Sequence, residues 1–304
     1  MSFKRLLCAS LFLTLLSCYL PLGTKAQDDD VIRTSTELVV LNVTVSDKAG
    51  QYMRSLKAGD FKVYEDGVEV PKSSIVSFEL EEAPYAAVVL LDSSGSMDTR
   101  FSLARSAAIR FLDGLRDEDV AAVYRFDSKV ERVQEFSGGR DLAPMAYGIR
   151  AKGMTTLNDA IVQAAKVLAD RAEKRRAIVI LSDGMDTYSK ATSDKAVESA
   201  LTVGATIFAV DMSSLDTPGH ANKQSAMQLK SFAEKTGGRL VTTPGGPELR
   251  DAFTSIAQEL SHQYTIAYRP TNTTRDGKWK ALEVKVDREG SIVRTRKGYR
   301  APKR

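Results

Sequence analysis

The stretch Ala86-Ala87-Val88-Val89-Leu90-Leu91 runs without a polar break into Asp92-Ser93-Ser94-Gly95-Ser96. A short apolar run rich in β-formers reads as a strand buried on both faces, which an open parallel sheet provides when helices cover it above and below. Helical spacing follows at once, with Ala104, Ala107, Ala108, Phe111, Leu112 and Leu115 on one face of a helix that starts near Met97 or Asp98. The turn between them therefore joins a strand's carboxyl end to a helix N-terminus, where open α/β sheets hold their ligands. Asp92, Ser94 and Ser96 offer hard oxygen donors with no His or Cys among them. Such donors suit Mg²⁺, Mn²⁺ or Ca²⁺ rather than zinc.

Strand and helix patterns alternate from Ala86 to about Leu260. Strands are predicted at 86–92, 119–126, 129–136, 175–182, 205–211 and 238–242, and helices near 98–115, 142–150, 157–172, 192–203, 223–236 and 247–261. This order specifies an α/β fold, a doubly wound and mostly parallel six-stranded sheet with helices on both faces. The strand at 129–136 follows its predecessor too closely for a crossover helix and is expected to be an antiparallel edge. Both flanks are β in character. Leu41, Val43 and Val45 alternate with polar residues, Phe61 and Val63 lead into an Asp66-Gly67 hairpin signal, and Ile75, Phe78 and Leu80 add a strand. After Ser261, Tyr264, Ile266 and Tyr268 alternate, followed by Leu282, Val284 and Val286 and a short segment at 292–295. About seven short strands from the two ends suffice for one small sandwich into which the α/β unit, 84–262, is inserted. The flanks are then 27–83 and 263–304, and two independent β appendages are the alternative.

Residues 1–26 differ from the rest. Lys4 and Arg5 precede an apolar run from Leu6 to Leu20, and Thr24-Lys25-Ala26 has the form of a cleavage site, so the segment reads as a secretory signal. A secreted, periplasmic or cell-surface location follows, with no membrane insertion after cleavage. Leu15-Leu16-Ser17-Cys18 also loosely fits a lipoprotein signal, which would place a lipid anchor on Cys18. Cys8 and Cys18 are the only cysteines, so a mature chain has no disulfide framework. Cleavage removes three basic side chains, Lys4, Arg5 and Lys25, and no acid, which brings the nominal +4 close to neutrality. Charge then gives no reason to expect nucleic acid as a partner. The cluster of Arg171, Lys174, Arg175 and Arg176 between a helix and a strand reads as a solvated helix cap.

A second strand, Ala177 to Ser182, also ends in a carboxylate, Asp183, followed by Gly184. In a doubly wound order the first and fourth strands are neighbours, so Asp92 and Asp183 are expected to face one crevice. Gly153-Met154-Thr155, just before a helix, can bring a hydroxyl to the same place. Taken together, Asp92-x-Ser94-x-Ser96, Gly153-x-Thr155 and Ser182-Asp183-Gly184 resemble the metal-ion-dependent adhesion site of the von Willebrand factor type A domain family, over roughly residues 84–262. The resemblance implies direct hydroxyl ligation by Ser94, Ser96 and Thr155, and ligation by Asp92 and Asp183 directly or through water. It implies Mg²⁺, or Mn²⁺ or Ca²⁺, as the cofactor, and a partner protein that offers an acidic side chain. In the family so resembled, a shift in ligation of the Thr155 and Asp183 type is tied to movement of the last helix, here near 247–261, and whether this chain switches is left open. The flanks, with Asp60-Phe61-x-Val63-x-Glu65-Asp66-Gly67, Tyr264-x-Ile266-x-Tyr268-x-Pro270 and Arg296-Lys297-Gly298-Tyr299, resemble a group of secreted acidobacterial proteins of this family.

Blander readings compete at each position. Ser or Asp at a helix start is commonly an N-cap; Ser93, Asp98 and Asp186 read as solvent-facing or supporting residues, and Asp211 as a cap or loop residue outside the site. A hydrolase needs a nucleophile and a base, yet there is no Gly-rich phosphate loop, and His220 and His262 sit in surface settings. The expectation is a binding protein and not an enzyme, with a scaffold bearing a vestigial site as the alternative and a metal-dependent hydrolase as a lesser one. Trp279, the sole tryptophan, is expected in the core or at the edge of the sandwich.

Overall fold

A computed structural model describes residues 38–303 apart from 80–82, 143–148, 184, 214–222 and 243–245. The leader expected at 1–26, both cysteines, His220 and most of the helix expected at 142–150 lie outside the described residues. Among the described residues no helix is long and apolar enough to cross a membrane.

The central sheet has six strands, β5 (Tyr85–Asp92), β6 (Val120–Phe126), β7 (Val130–Ser137), β8 (Arg175–Ser182), β9 (Ala205–Asp211) and β10 (Leu240–Thr242). Their order is β10-β9-β8-β5-β6-β7. All pairings are parallel except β6 with β7, which is antiparallel. The edge strand thus runs as the short link from Phe126 to Val130 requires, and β5 and β8 are neighbours as expected. Every residue of β5 is buried. Alternation divides it, with Tyr85, Ala87, Val89 and Leu91 packed under α1 (Phe101–Asp113) and α5 (Gly246–Ser261). Ala86, Val88 and Leu90 face the opposite layer of α2 (Leu157–Ala169), α3 (Ser193–Thr202) and α4 (Lys223–Thr236). Gly114, at the end of α1, lets that helix lie against α5, since a Cβ there would be 2.8 Å from the Ala257 Cβ. The first helix starts at Phe101, later than its apolar spacing suggested, because residues 95–97 form a 3₁₀ turn that carries Ser96.

The flanking strands are β1 (Val39–Ser46), β2 (Phe61–Glu65), β3 (Val68–Glu69), β4 (Ile75–Glu79), β11 (Tyr264–Tyr268), β12 (Trp279–Val286), β13 (Ile292–Arg294) and β14 (Gly298–Arg300). They form two sheets, β13-β1-β11-β4 and β14-β12-β2-β3, each mixing strands from both chain ends. One apolar core, including Leu41, Phe61, Val63, Tyr264, Ile266 and Val284, lies between them. Asp66 and Gly67, with φ of 50° and 81°, form the tight turn between β2 and β3. Trp279 is an edge residue and not a core one, 43% exposed and lying over Gly298, where a Cβ would fall 2.4 Å from the indole.

The basic cluster departs from its expected role. Arg175 is fully buried and donates to the Thr265 hydroxyl (2.9 Å) and the Ala83 carbonyl (3.2 Å), tying β8 to β11. Arg176 is half-buried and donates to the carbonyls of Val203 and Arg171, while Arg171 pairs with Glu173. A second tie joins α5 to the sandwich. Buried Glu259 accepts from Arg239 (2.8 Å), Arg294 (2.5 Å) and the Thr44 hydroxyl (3.2 Å). His262 is half-buried and stacked on Tyr52, with ring centres 5.5 Å apart.

Candidate metal centre

Three loops meet at the carboxyl edge of the sheet, above β5 and β8. The first, after β5, begins with Asp92, which is fully buried. Its Oδ1 accepts from the Ser94 amide at 2.9 Å, closing the chain into a turn, and its Oδ2 accepts from the Ser182 hydroxyl at 2.5 Å. Burial is the main reason that the Asp92 carboxyl is pushed up to about 6; the hydroxyl and amide bonds oppose the shift, and the charge of Asp183 adds to it. Ser94 is buried while Ser96 is exposed, so the hydroxyls lead from the interior to the surface.

Ser96 joins the two strand ends. Its Oγ lies 3.2 Å from the Ser94 Oγ and donates to Asp183 Oδ1 at 2.8 Å. The other Asp183 oxygen, Oδ2, is taken by the Arg100 guanidinium, and both side chains of this pair are largely buried.

Thr155 is fixed through its backbone by the loop that follows Asp183. Its amide donates to the Thr187 hydroxyl (3.0 Å), and its carbonyl accepts from the Thr187 and Tyr188 amides (2.9 and 3.0 Å). The same loop caps α2. Asp186 accepts from the Asn158 amide at 2.7 Å, and Ser189 Oγ accepts from the Asp159 amide at 3.0 Å. Asp159 in turn accepts from the amides of Lys190 and Ala191. Thr156, at the N-cap position of α2, makes no capping bond with its own side chain. The first and third loops are tied as well, by Gly95 N to Gly153 O (3.1 Å) and Lys152 N to Ser93 O (2.8 Å). Gly153 has a φ of +86°, a conformation that disfavours any other residue there.

The structure thus links Asp92, Ser94, Ser96 and Asp183 through hydrogen bonds and clamps Thr155 to the loop beyond Asp183. Ser93 is a tie, not a surface residue, since its amide and hydroxyl both donate to the Phe126 carbonyl (2.8 and 3.2 Å). Asp186 is the cap of α2, and Asp98 is exposed. Asp211 is buried, accepts from the Ser213 amide at 2.9 Å, and stands opposite Ser182 in the register of β8 and β9. Arg100 and Ser182 were not among the predicted site residues. Ser182 was adjacent to one of them, and the only signal for Arg100 was a base at a helix start, where a positive charge is disfavoured.

The donor set consists of two carboxylates and three hydroxyls. Among the described residues no group of three or more His, Cys, Asp or Glu is placed to hold a metal. Two carboxylates and three hydroxyls are all hard oxygen donors, a composition that would fit a hard divalent cation.

A family model of the von Willebrand factor type A domain matches residues 87–185. A curated relative, an uncharacterized protein of Synechocystis sp., is 26% identical over 187 residues, 59% of this chain and 42% of that protein. The chain thus spans less than half the length of the curated relative it matches. Similar solved structures include a von Willebrand factor type A protein from Catenulispora acidiphila, 14% identical with a TM-score of 0.48 over 89% of this chain and 75% of that one. The PilB minor pilin from Streptococcus sanguinis is 14% identical, with a TM-score of 0.46 over 59% of this chain and 62% of its own. The vWF domain of the type V pili tip protein Mfa5 from Porphyromonas gingivalis is 14% identical, with a TM-score of 0.46 over 58% and 95%. The segment that matches the von Willebrand factor type A domain, residues 87–185, contains Asp92, Ser94, Ser96, Thr155 and Asp183.

Proposed function

We propose that the protein is an extracytoplasmic binding module, not an enzyme, whose Asp92, Ser94, Ser96, Thr155 and Asp183 hold Mg²⁺ or a similar divalent cation at which an acidic side chain of a partner protein docks. The observation that carries this reading is Ser96, whose hydroxyl lies within hydrogen-bond distance of Ser94 on one side and Asp183 on the other. With only two carboxylates among five donors, a bound dication supplies an incompletely neutralised charge for a partner's Glu or Asp. The protein's own residues hold the donors in place. Ser182 and the Ser94 amide orient Asp92, the 3₁₀ turn presents Ser96 at the surface, and the Asp186 loop fixes Thr155. The leader-like residues 1–26 support the location.

A second reading has its own observation. The Arg100 guanidinium already neutralises Asp183, as it would in a scaffold whose metal site is vestigial. Thermal unfolding with and without Mg²⁺ separates the two. A functional site gives a stabilisation of about 2.7 kcal/mol at one hundred times the dissociation constant, reversed by EDTA and absent in Ser94→Ala. A vestigial site gives identical melting curves in all conditions.

A further inference from the structure

We propose that Arg100 is an internal competitor for the cation, a built-in counter-ion that occupies Asp183 and sets how tightly the site binds metal. The inference rests on the metal-binding reading above and concerns the regulation of that same site.

Both oxygens of Asp183 are engaged within the chain, Oδ1 by the Ser96 hydroxyl at 2.8 Å and Oδ2 by the Arg100 guanidinium. The side chains of Arg100 and Asp183 are 13% and 3% exposed, so the pair sits where water screens it weakly. A guanidinium and a dication placed against one buried carboxylate repel each other and so compete for it. While it stays in place, Arg100 therefore weakens the hold of Asp183 on a dication.

The position of Arg100 in the fold supports the same conclusion. Arg100 is the N-cap of α1, with φ −108° and ψ −11°, and makes no capping bond with its side chain. The first turn of that helix contains no acidic residue. A helix N-terminus favours negative charge, and Ser, Thr, Asp or Asn at the cap, so an arginine there gains nothing from the helix. Its guanidinium is held by Asp183 and, at 3.5 Å, by the Ser96 carbonyl. The residue is also poised to leave. The exposed residues Ser96, Asp98 and Thr99 surround it in sequence, and a long side chain with an apolar stem can carry its charge outward while the stem stays packed.

Two consequences distinguish a competitor from a passive pair. Removing the guanidinium leaves Asp183 without its counter-ion, which destabilises the metal-free chain and at the same time exposes a stronger ligand. Removing it therefore moves metal-free stability and cation affinity in opposite directions, whereas loss of a merely structural contact lowers both. Arg100→Lys keeps the charge but loses the planar fork, so it weakens the hold without abolishing it.

The test is calorimetric titration of Mg²⁺, and separately of Mn²⁺, into the full chain as wild type, Arg100→Gln and Arg100→Lys, with folding checked by circular dichroism. The expected result is at least about tenfold tighter binding by Arg100→Gln, with Arg100→Lys between it and the wild type. Equal or weaker binding by folded Arg100→Gln overturns the competitor role and leaves the metal-binding reading intact. Binding by Arg100→Gln alone supports the competitor role and overturns the reading of the wild type as a metal-dependent module. No binding by any of the three overturns both. Should Arg100→Gln fail to fold, Arg100→Lys decides, with tighter binding than wild type expected and equal or weaker binding overturning the inference.

Discussion

Asp92 shows how costly one buried carboxylate can be when no cation faces it. Burial raises its pKa from 3.8 to about 6, so the native chain binds this proton more tightly than the unfolded chain does. The resulting contribution to metal-free stability is full below about pH 4 and is lost as the pH rises through 6. Asp92→Asn keeps an acceptor for the Ser94 amide and carries no charge. It is expected to stabilise the metal-free chain at pH 7.5 by on the order of 1–3 kcal/mol, with no gain at pH 4, as measured by thermal melts at the two pH values. A loss of stability at pH 7.5 would show that the carboxylate is already compensated. Sequence spacing located Asp92 because a strand that ends in a carboxylate leaves a local signature. Arg100 carries no comparable signature, since its pairing with Asp183 spans a sequence separation of 83 residues.

The five proposed donors lie on loops of three elements, and the loop after β8 does most of the positioning. It carries Asp183, clamps the backbone of Thr155 and caps α2 from a distance, so two of the proposed ligands depend on one loop. Asp186→Ala removes the acceptor of the Asn158 amide and is expected to cost about 1–2 kcal/mol and to weaken Mg²⁺ binding. Asp98→Ala, in the exposed turn before α1, is the control and should change stability by less than about 0.5 kcal/mol. Chemical denaturation with parallel calorimetry measures both effects, and equal behaviour of the two variants would contradict this role for Asp186. The alternation of strands and helices was plain in the sequence because central strands read as unbroken apolar runs and helices as amphipathic ones. The cap was not, because its partners lie 28 residues apart and no local pattern records them.

At the scale of the whole molecule, the sandwich and the α/β unit are joined by buried polar contacts as well as by the chain. Glu259 of α5, held by Arg239, Arg294 and Thr44, and Arg175 of β8, held by Thr265, are two of these ties. Glu259→Ala leaves two partly buried guanidinium groups without their shared carboxylate and is expected to cost about 3–5 kcal/mol. Lys62→Ala, which breaks the exposed pair with Asp287, should cost less than about 0.5 kcal/mol. The same ties predict one cooperative transition. Trp279 reports on the sandwich, while the α-helices belong to the α/β unit, so tryptophan fluorescence and far-UV circular dichroism should give coincident midpoints. Separate midpoints would mean that the sandwich folds independently. The β character of both flanks was legible from alternation. The interleaving of their strands within each sheet was not, because register between segments some 200 residues apart is settled by packing and leaves no local mark.

The central claim is that Asp92, Ser94, Ser96, Thr155 and Asp183 bind a divalent cation, and calorimetric titration of Mg²⁺ and Mn²⁺ into the chain tests it most directly. Wild type, Asp92→Ala and the double variant Ser94→Ala/Ser96→Ala are compared, each with its fold verified. The account predicts one ion bound per wild-type chain and none by the folded variants. Heat traces that do not differ between wild type and variants would contradict it, and would leave the domain as a scaffold whose contacts lie elsewhere.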